Sequence, residues 1–316
     1  MVSAGRDLPW QRGSGPPDGN RGQLILVGAV VIAVALVGVV VVLNTVLYTE
    51  NVVHDGARSG ASDSLDVSLV VRNDLGPLVD GTNYNETYAN ASELAAALDE
   101  SVDRYATLLG VAEAARQPAT ITVDVRNATV GYAVVHDNDS ATFRSGGGKS
   151  NWTVARDADA RQYELTVDPA NGTTASDGFR LSFTDGTDRW NLSTYRQDGD
   201  VSVRTTGTTV APSTCPSVTT GNLTIELRNG TAGSCTFDFA PGLDRPYDVS
   251  YVNGGNATGV YSVVLNGTSA TLPSVNTTTA ESPYRTVVAY EVEATMSHVT
   301  PDSTYRTRIN ATLYEP

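Results

Sequence analysis

The segment Phe143-Arg144-Ser145-Gly146-Gly147-Gly148-Lys149-Ser150 carries the residue types of a phosphate cradle. Glycines let backbone N–H groups approach an anion, a lysine supplies charge, and a serine hydroxyl can hold a metal. A phosphate loop also needs a glycine where Phe143 stands and a helix directly after it. Asn151-Trp152-Thr153-Val154 follows instead, and it reads as a strand, so the segment is expected to be a glycine-rich hairpin turn. Asp137/Asp139, Asp157/Asp159, Asp185/Asp188 and Asp198/Asp200 offer carboxylate pairs for calcium. That hard cation takes about 6–8 oxygens, and no segment completes the full loop pattern. Asp-Gly is also a common hairpin turn. His54, His136 and His298 stand apart, without the paired spacing of a zinc site. No Gly-x-Ser-x-Gly occurs. The sequence therefore names no catalytic residue, metal site or cofactor, and the chain reads as a non-enzyme.

Cys215 and Cys235 are the only cysteines. They lack metal-ligand spacing, and outside the cytosol two such thiols are expected to pair. Closing so short a loop stabilises a fold by about 3 kcal/mol on the chain-entropy model.

These residues must be positioned by a β-rich region. From Ala119 onward apolar residues alternate with polar ones, as in Ile121, Val123 and Val125. Similar runs recur near 129–135, 151–155, 161–167, 178–184, 188–195, 199–205, 222–228, 234–239, 247–252 and 258–265, separated by Gly, Asn and Asp turns. Tyr284–Met296 and Ser303–Tyr314 read as a closing hairpin. Residues 119–316 thus form a mainly antiparallel, sandwich-like extracellular domain. The Thr-Ser-Pro stretch 205–220 is where a sub-boundary would fall. Before this region, Asn90 and Glu93 have capping-box spacing. Leu94, Leu98, Val102, Tyr105, Leu109 and Ala112 then recur at helical intervals until Gln117-Pro118. Further upstream Val53, Ala57, Ala61, Leu65 and Leu69 are spaced by four, the stripe of a helical stalk that Gly76-Pro77 should end.

The run from Leu24 to Leu43 contains no charged residue. At ~1.5 Å per residue it spans ~30 Å, the hydrocarbon thickness of a bilayer. It is too long for a cleaved secretory signal, and Val42-Leu43-Asn44-Thr45-Val46 offers no small-residue cleavage site. The fold class is therefore α+β. A single N-terminal transmembrane helix (23–49) follows a cytoplasmic tail or leader (1–22). A helical stalk and second helix (50–118) lead to the β domain. Arg6, Arg12 and Arg21 precede the run, while Glu50 and Asp55 follow it. Positive charge stays inside, so the expected location is the cell membrane, single-pass, N-terminus cytoplasmic.

The formal net charge is −14. That charge argues against nucleic acid as a partner, because phosphates would be repelled. Lys149 is the one lysine among 21 basic residues, and this composition resembles the proteins of salt-loving archaea. Thirteen of the asparagines stand in Asn-x-Ser/Thr: Asn85, Asn90, Asn127, Asn138, Asn151, Asn171, Asn191, Asn222, Asn229, Asn256, Asn266, Asn276 and Asn310. Chance placement predicts roughly four, and all thirteen lie beyond the apolar run, as glycosylation of an exported domain requires.

Arg21-Gly22-Gln23-Leu24, abutting a long apolar helix, resembles the class III signal peptides of archaeal type IV pilin-like proteins. The resemblance covers about residues 21–50. It implies that a prepilin peptidase cuts between Gly22 and Gln23. It also implies that the helix stays on the mature chain and packs with other pilin-like subunits. Many such proteins carry glutamate at the fifth mature position; here that residue is Val27, which implies a minor, structural or adhesive subunit. The competing expectation is a signal-anchored domain that binds a cell-envelope partner and forms no filament. A less favoured one is an extracellular hydrolase. The sequence identifies no ligand.

Overall fold

The structure is a computed structural model and describes residues 59–169, 172–219, 221–277, 281–301 and 303–314. The apolar run and the Arg21-Gly22-Gln23 step lie outside those residues. Among the described residues no helix is long and apolar enough to cross a membrane. The described fold is α+β, mainly antiparallel sheet with two α-helices.

Helix α1 spans Ser59–Asn85 and helix α2 spans Ala91–Ala114. The capping box of α2 forms as its spacing demands. Asn90 Oδ1 accepts from the N–H groups of Ser92 (3.0 Å) and Glu93 (3.1 Å), and Glu93 Oε2 accepts from Ala89 N (2.9 Å). Leu94, Leu98, Val102 and Ala106 are buried along one face.

Helix α1 departs from expectation twice. It continues through Gly76-Pro77 for two further turns. An internal proline costs about 3 kcal/mol. Val71, Leu75 and Val79 flank it and are fully buried, each contributing roughly 1.5–3 kcal/mol, so tertiary burial outweighs the break. Second, Leu65 and Leu69 face solvent, and the buried face is Ser64, Val67, Ser68, Val71 and Leu75. A spacing of four advances ~40° beyond a full turn at each step, so a stripe of fours drifts off any one face.

Among the described residues fourteen strands follow: β1 (Thr120–His136), β2 (Trp152–Ala158), β3 (Ala160–Asp168), β4 (Phe179–Thr184), β5 (Arg189–Gln197), β6 (Asp200–Gly207), β7 (Ser213–Thr219), β8 (Leu223–Glu226), β9 (Thr231–Ala232), β10 (Cys235–Thr236), β11 (Tyr247–Val252), β12 (Thr258–Leu265), β13 (Tyr284–Val299) and β14 (Thr304–Thr312). They form an eight-stranded sheet, β10-β9-β8-β3-β12-β1-β13-β14, and a six-stranded sheet, β2-β11-β4-β5-β6-β7. Stretch 205–220 carries β7, which pairs with β6, and residues 58–316 form one compact unit.

Strand β1 joins two alternating runs that the sequence shows separately. Arg126 is an extra residue on β1 and Tyr290 an extra residue on β13, so their register shifts twice. The shifts keep Ile121 and Val123, then Val130 and Tyr132, under the helices. Val134, two residues on, lies in the second core. One face of the eight-stranded sheet therefore takes both covers. The helices lie over β1, β13 and β14, while the six-stranded sheet packs over β12, β3 and β8. Where β14 ends, the last turn of α1 and the chain after it close the edge of β13. Val287 N donates to Tyr88 O (2.9 Å), and the Asn83 amide exchanges two hydrogen bonds with the Ala289 backbone.

Candidate functional site

The glycine-rich segment uses its donors internally. Ser145 Oγ accepts from Gly147 N (3.2 Å) and Lys149 N (3.1 Å), and Gly148 N donates to Ser145 O (2.8 Å). Gly148 has φ +76°, which the turn requires. Phe143 is fully buried, and its carbonyl accepts from Trp152 Nε1 (3.0 Å). No row of N–H groups is left to meet an anion.

Two of the aspartate pairs shape turns, while Asp137 bonds Ser282 and Tyr284 and Asp159 pairs with Arg245. Asp185 accepts from the backbone N–H groups of Thr187, Asp188 and Asp244, and these bonds hold its carboxyl below the usual range. Asp198-Gly199 takes positive φ at both residues, the geometry of a two-residue hairpin between β5 and β6. Among the described residues no three His, Cys, Asp or Glu side chains are placed to hold a metal.

His54 lies outside the described residues. His298 is buried beneath α1, its Nδ1 2.8 Å from Ser64 Oγ. His136 stacks on Tyr261 at 5.2 Å and meets Phe143 edge-on. Neither of its ring nitrogens has a hydrogen-bond partner. Burial pushes its pKa below the ordinary histidine value, and the backbone dipoles at Ala141 and Asn138 with the charge of Asp137 only partly offset this. These histidines share no site.

The ties that cross the sandwich include a disulfide and a buried tyrosine pair. Cys215 and Cys235 form a disulfide with Cα atoms 6.2 Å apart. It joins β7 and β10, the outermost strands of the two sheets on that side. In the interior Tyr163 Oη donates to Tyr251 Oη at 2.9 Å, linking β3 to β11. Burial raises both phenols above their ordinary pKa. Nothing local in the sequence announces this pair, because the two tyrosines lie 88 positions apart.

Asn171 lies outside the described residues. Of the other sequon asparagines, Asn85, Asn90, Asn127, Asn138, Asn151, Asn222, Asn229 and Asn310 are exposed, and Asn191, Asn256, Asn266 and Asn276 are partly exposed. Asn127, Glu293 and Asn310 form one row across β1, β13 and β14, on the face away from the helices.

That face also holds a shallow groove of about 630 Å³, lined by Arg126, Glu293, Thr295, Arg306, Thr307 and Arg308. Arg126 Nε donates to Thr295 Oγ1 (3.2 Å), and Arg308 pairs with Glu293 (3.4 Å). The groove is polar and sets three arginines against one glutamate, with Arg308 and Glu293 ion-paired. It contains no nucleophile beside a base. The period-two placing of Arg306 and Arg308 was visible in the sequence, but their convergence with Arg126 needed the strand order.

No curated protein and no solved structure matches the chain. A family model does match residues 18–139, described as a family of unknown function (DUF7261). That span contains the Arg21-Gly22-Gln23 step, the apolar run, α1, α2 and β1. Over this N-terminal part, less than half of its length, the chain is similar to that family of unknown function.

Proposed function

We propose that the protein is a membrane-anchored, glycosylated extracellular surface protein of the pilin-like type, a minor structural or adhesive subunit of a salt-adapted cell. The observation that carries this reading is the Arg21-Gly22-Gln23 step set directly against the uncharged Leu24–Leu43 run. Two features support export. The Cys215–Cys235 disulfide suits an oxidising environment, and every described sequon asparagine is at least partly accessible. In this reading the partners are the bilayer, a prepilin peptidase acting between Gly22 and Gln23, and pilin-like subunits. Gly28, Ala29, Ala33 and Ala35 provide the small residues that let apolar helices approach closely.

Mass spectrometry of the native N-terminus tests this. A mature chain beginning at Gln23, and loss of processing in Gly22→Leu, are expected. A chain that keeps residues 1–22 whether or not the peptidase is present refutes the pilin reading. The second reading, a signal-anchored domain that binds a cell-envelope partner, predicts the unprocessed chain.

A further inference from the structure

Several contacts gather distant segments at one end of the described unit. Ser64 on the second turn of α1 bonds His298 near the end of β13. Val299 pairs with Thr120, the first residue of β1, and with Thr304, the first residue of β14. The last turn of α2 lies only a few residues before Thr120. The chain enters the unit at this same end.

Among the described residues, this end collects five of the six exposed large apolar side chains: Leu65 (52%), Leu69 (51%), Leu108 (65%), Val111 (67%) and Val299 (40%). The sixth, Tyr84, is at the far end of α1. The five do not make one flat patch. Asp74 bonds Tyr105 of α2, and Leu65 lies half a turn round α1 from Asp74, so Leu65 and Leu69 face away from α2. Leu108 and Val111 lie on α2 itself, and Val299 lies at the β13–β14 hairpin.

Sequons avoid this end. None falls in 59–84, 91–126 or 281–309; the nearest are Asn127 and Asn310. Arg116, Arg306 and Arg308 are also here, Arg116 paired with Glu113 and Arg308 with Glu293, so charge does not decide the partner. Asp63 and Asp66 share the end, which limits the contact to a shallow one.

We propose that this end of the head lies on the headgroup surface of the lipid bilayer, with Leu65, Leu69, Leu108, Val111 and Val299 dipping into it. The inference rests on the membrane-anchor reading above. Residues 44–58 separate the apolar run from Ser59, and they reach at most ~50 Å extended or ~22 Å as a helix. The anchor thus keeps this end near the membrane. Single apolar side chains spread over one end suit a soft surface better than a rigid partner. A stable protein interface needs roughly 800 Å² of contiguous area from each partner.

The full-length protein, one copy per phospholipid nanodisc, is compared by hydrogen exchange with the same protein held in a lipid-free amphipathic polymer. Segments 59–72, 104–118 and 297–308 are expected to exchange several-fold more slowly in the disc, with 179–205 unchanged. Leu65→Asp/Leu108→Asp, at exposed positions, should return those segments to the lipid-free rates. Equal rates in a protein that stays in the disc overturn the proposal and leave the anchor standing. A protein that does not remain in the disc removes the anchor and the proposal together. Slowing only in discs that carry two copies overturns it in favour of contact between copies.

Discussion

Breaking the Cys215–Cys235 bond removes the one covalent tie between the two sheets. Its residues are 20 positions apart. On the chain-entropy model, closing a loop of about 20 residues removes about 11 cal/mol/K from the unfolded chain, or about 3.3 kcal/mol at 25 °C. Unfolding entropy near 2.1 cal/mol/K per residue gives roughly 0.5 kcal/mol/K for a unit of roughly 250 residues, so Tm should fall by about 6 °C. The assay is thermal and denaturant unfolding followed by near-ultraviolet circular dichroism, with and without reductant. Reduction should also increase the denaturant slope, because a chain without the crosslink exposes more surface when unfolded. Cys215→Ala/Cys235→Ala should match the reduced protein to within about 1 kcal/mol, the allowance for the small space left beside the buried Cys235. Coincident midpoints for oxidised and reduced protein would refute the reasoning, as would two titratable thiols in the native chain.

Tyr251→Phe leaves the Tyr163 hydroxyl without its partner inside the sandwich and should cost about 1–3 kcal/mol. Tyr163→Phe/Tyr251→Phe should cost less than the two single changes combined, a coupling that a double-mutant cycle by urea unfolding measures. The folded pKa of His136 lies below its unfolded value, so the unfolded state takes up the proton first. Its contribution to stability is present above about pH 6.5 and is lost as pH falls through the folded pKa. His136→Phe should flatten that part of the stability profile between pH 7.5 and 5, and an unchanged slope would remove the assignment. Asn90→Ala removes the acceptor for two N–H groups of α2 and should lower stability by about 1 kcal/mol, measured by the shift in urea midpoint.

What the sequence disclosed was local. The α2 cap depends on Asn90 and Glu93, three positions apart, and the β5–β6 turn depends on Asp198 and Gly199. Strand alternation marks one face at a time, so most strands were legible without knowing their partners. What it concealed was decided at a distance. Pro77 reads as a helix end until the burial of Leu75 and Val79 against β13 and β14 is known. Strand β7 was hidden by its composition, Ser-Thr-Cys-Pro-Ser-Val-Thr. A proline suits an edge strand, which has one side unpaired, and the six-stranded sheet places β7 at its edge. The glycine-rich segment spends its N–H groups on Ser145 and Ser274, and Asp185 spends its carboxylate on three backbone N–H groups, partners that spacing alone does not reveal.

The arginine row on β14 follows from the same kind of constraint. Strand β14 ends the eight-stranded sheet, and its outer backbone groups form a template for another strand. Proteins blunt such edges with charge or bulk. Arg306, Arg308 and Asn310 occupy three successive exposed positions along β14, two residues apart. Arg308 is further held by Glu293 on the neighbouring strand. Two charges and one sequon on a single edge answer the pairing hazard directly. That accounts for the spacing of Arg306 and Arg308 without a ligand, so the groove they line with Arg126 reads as edge defence. Leu65 and Leu69, half-exposed on α1 at the same end, neither fill the core nor guard an unpaired strand, and the bilayer contact proposed above is what would cover them.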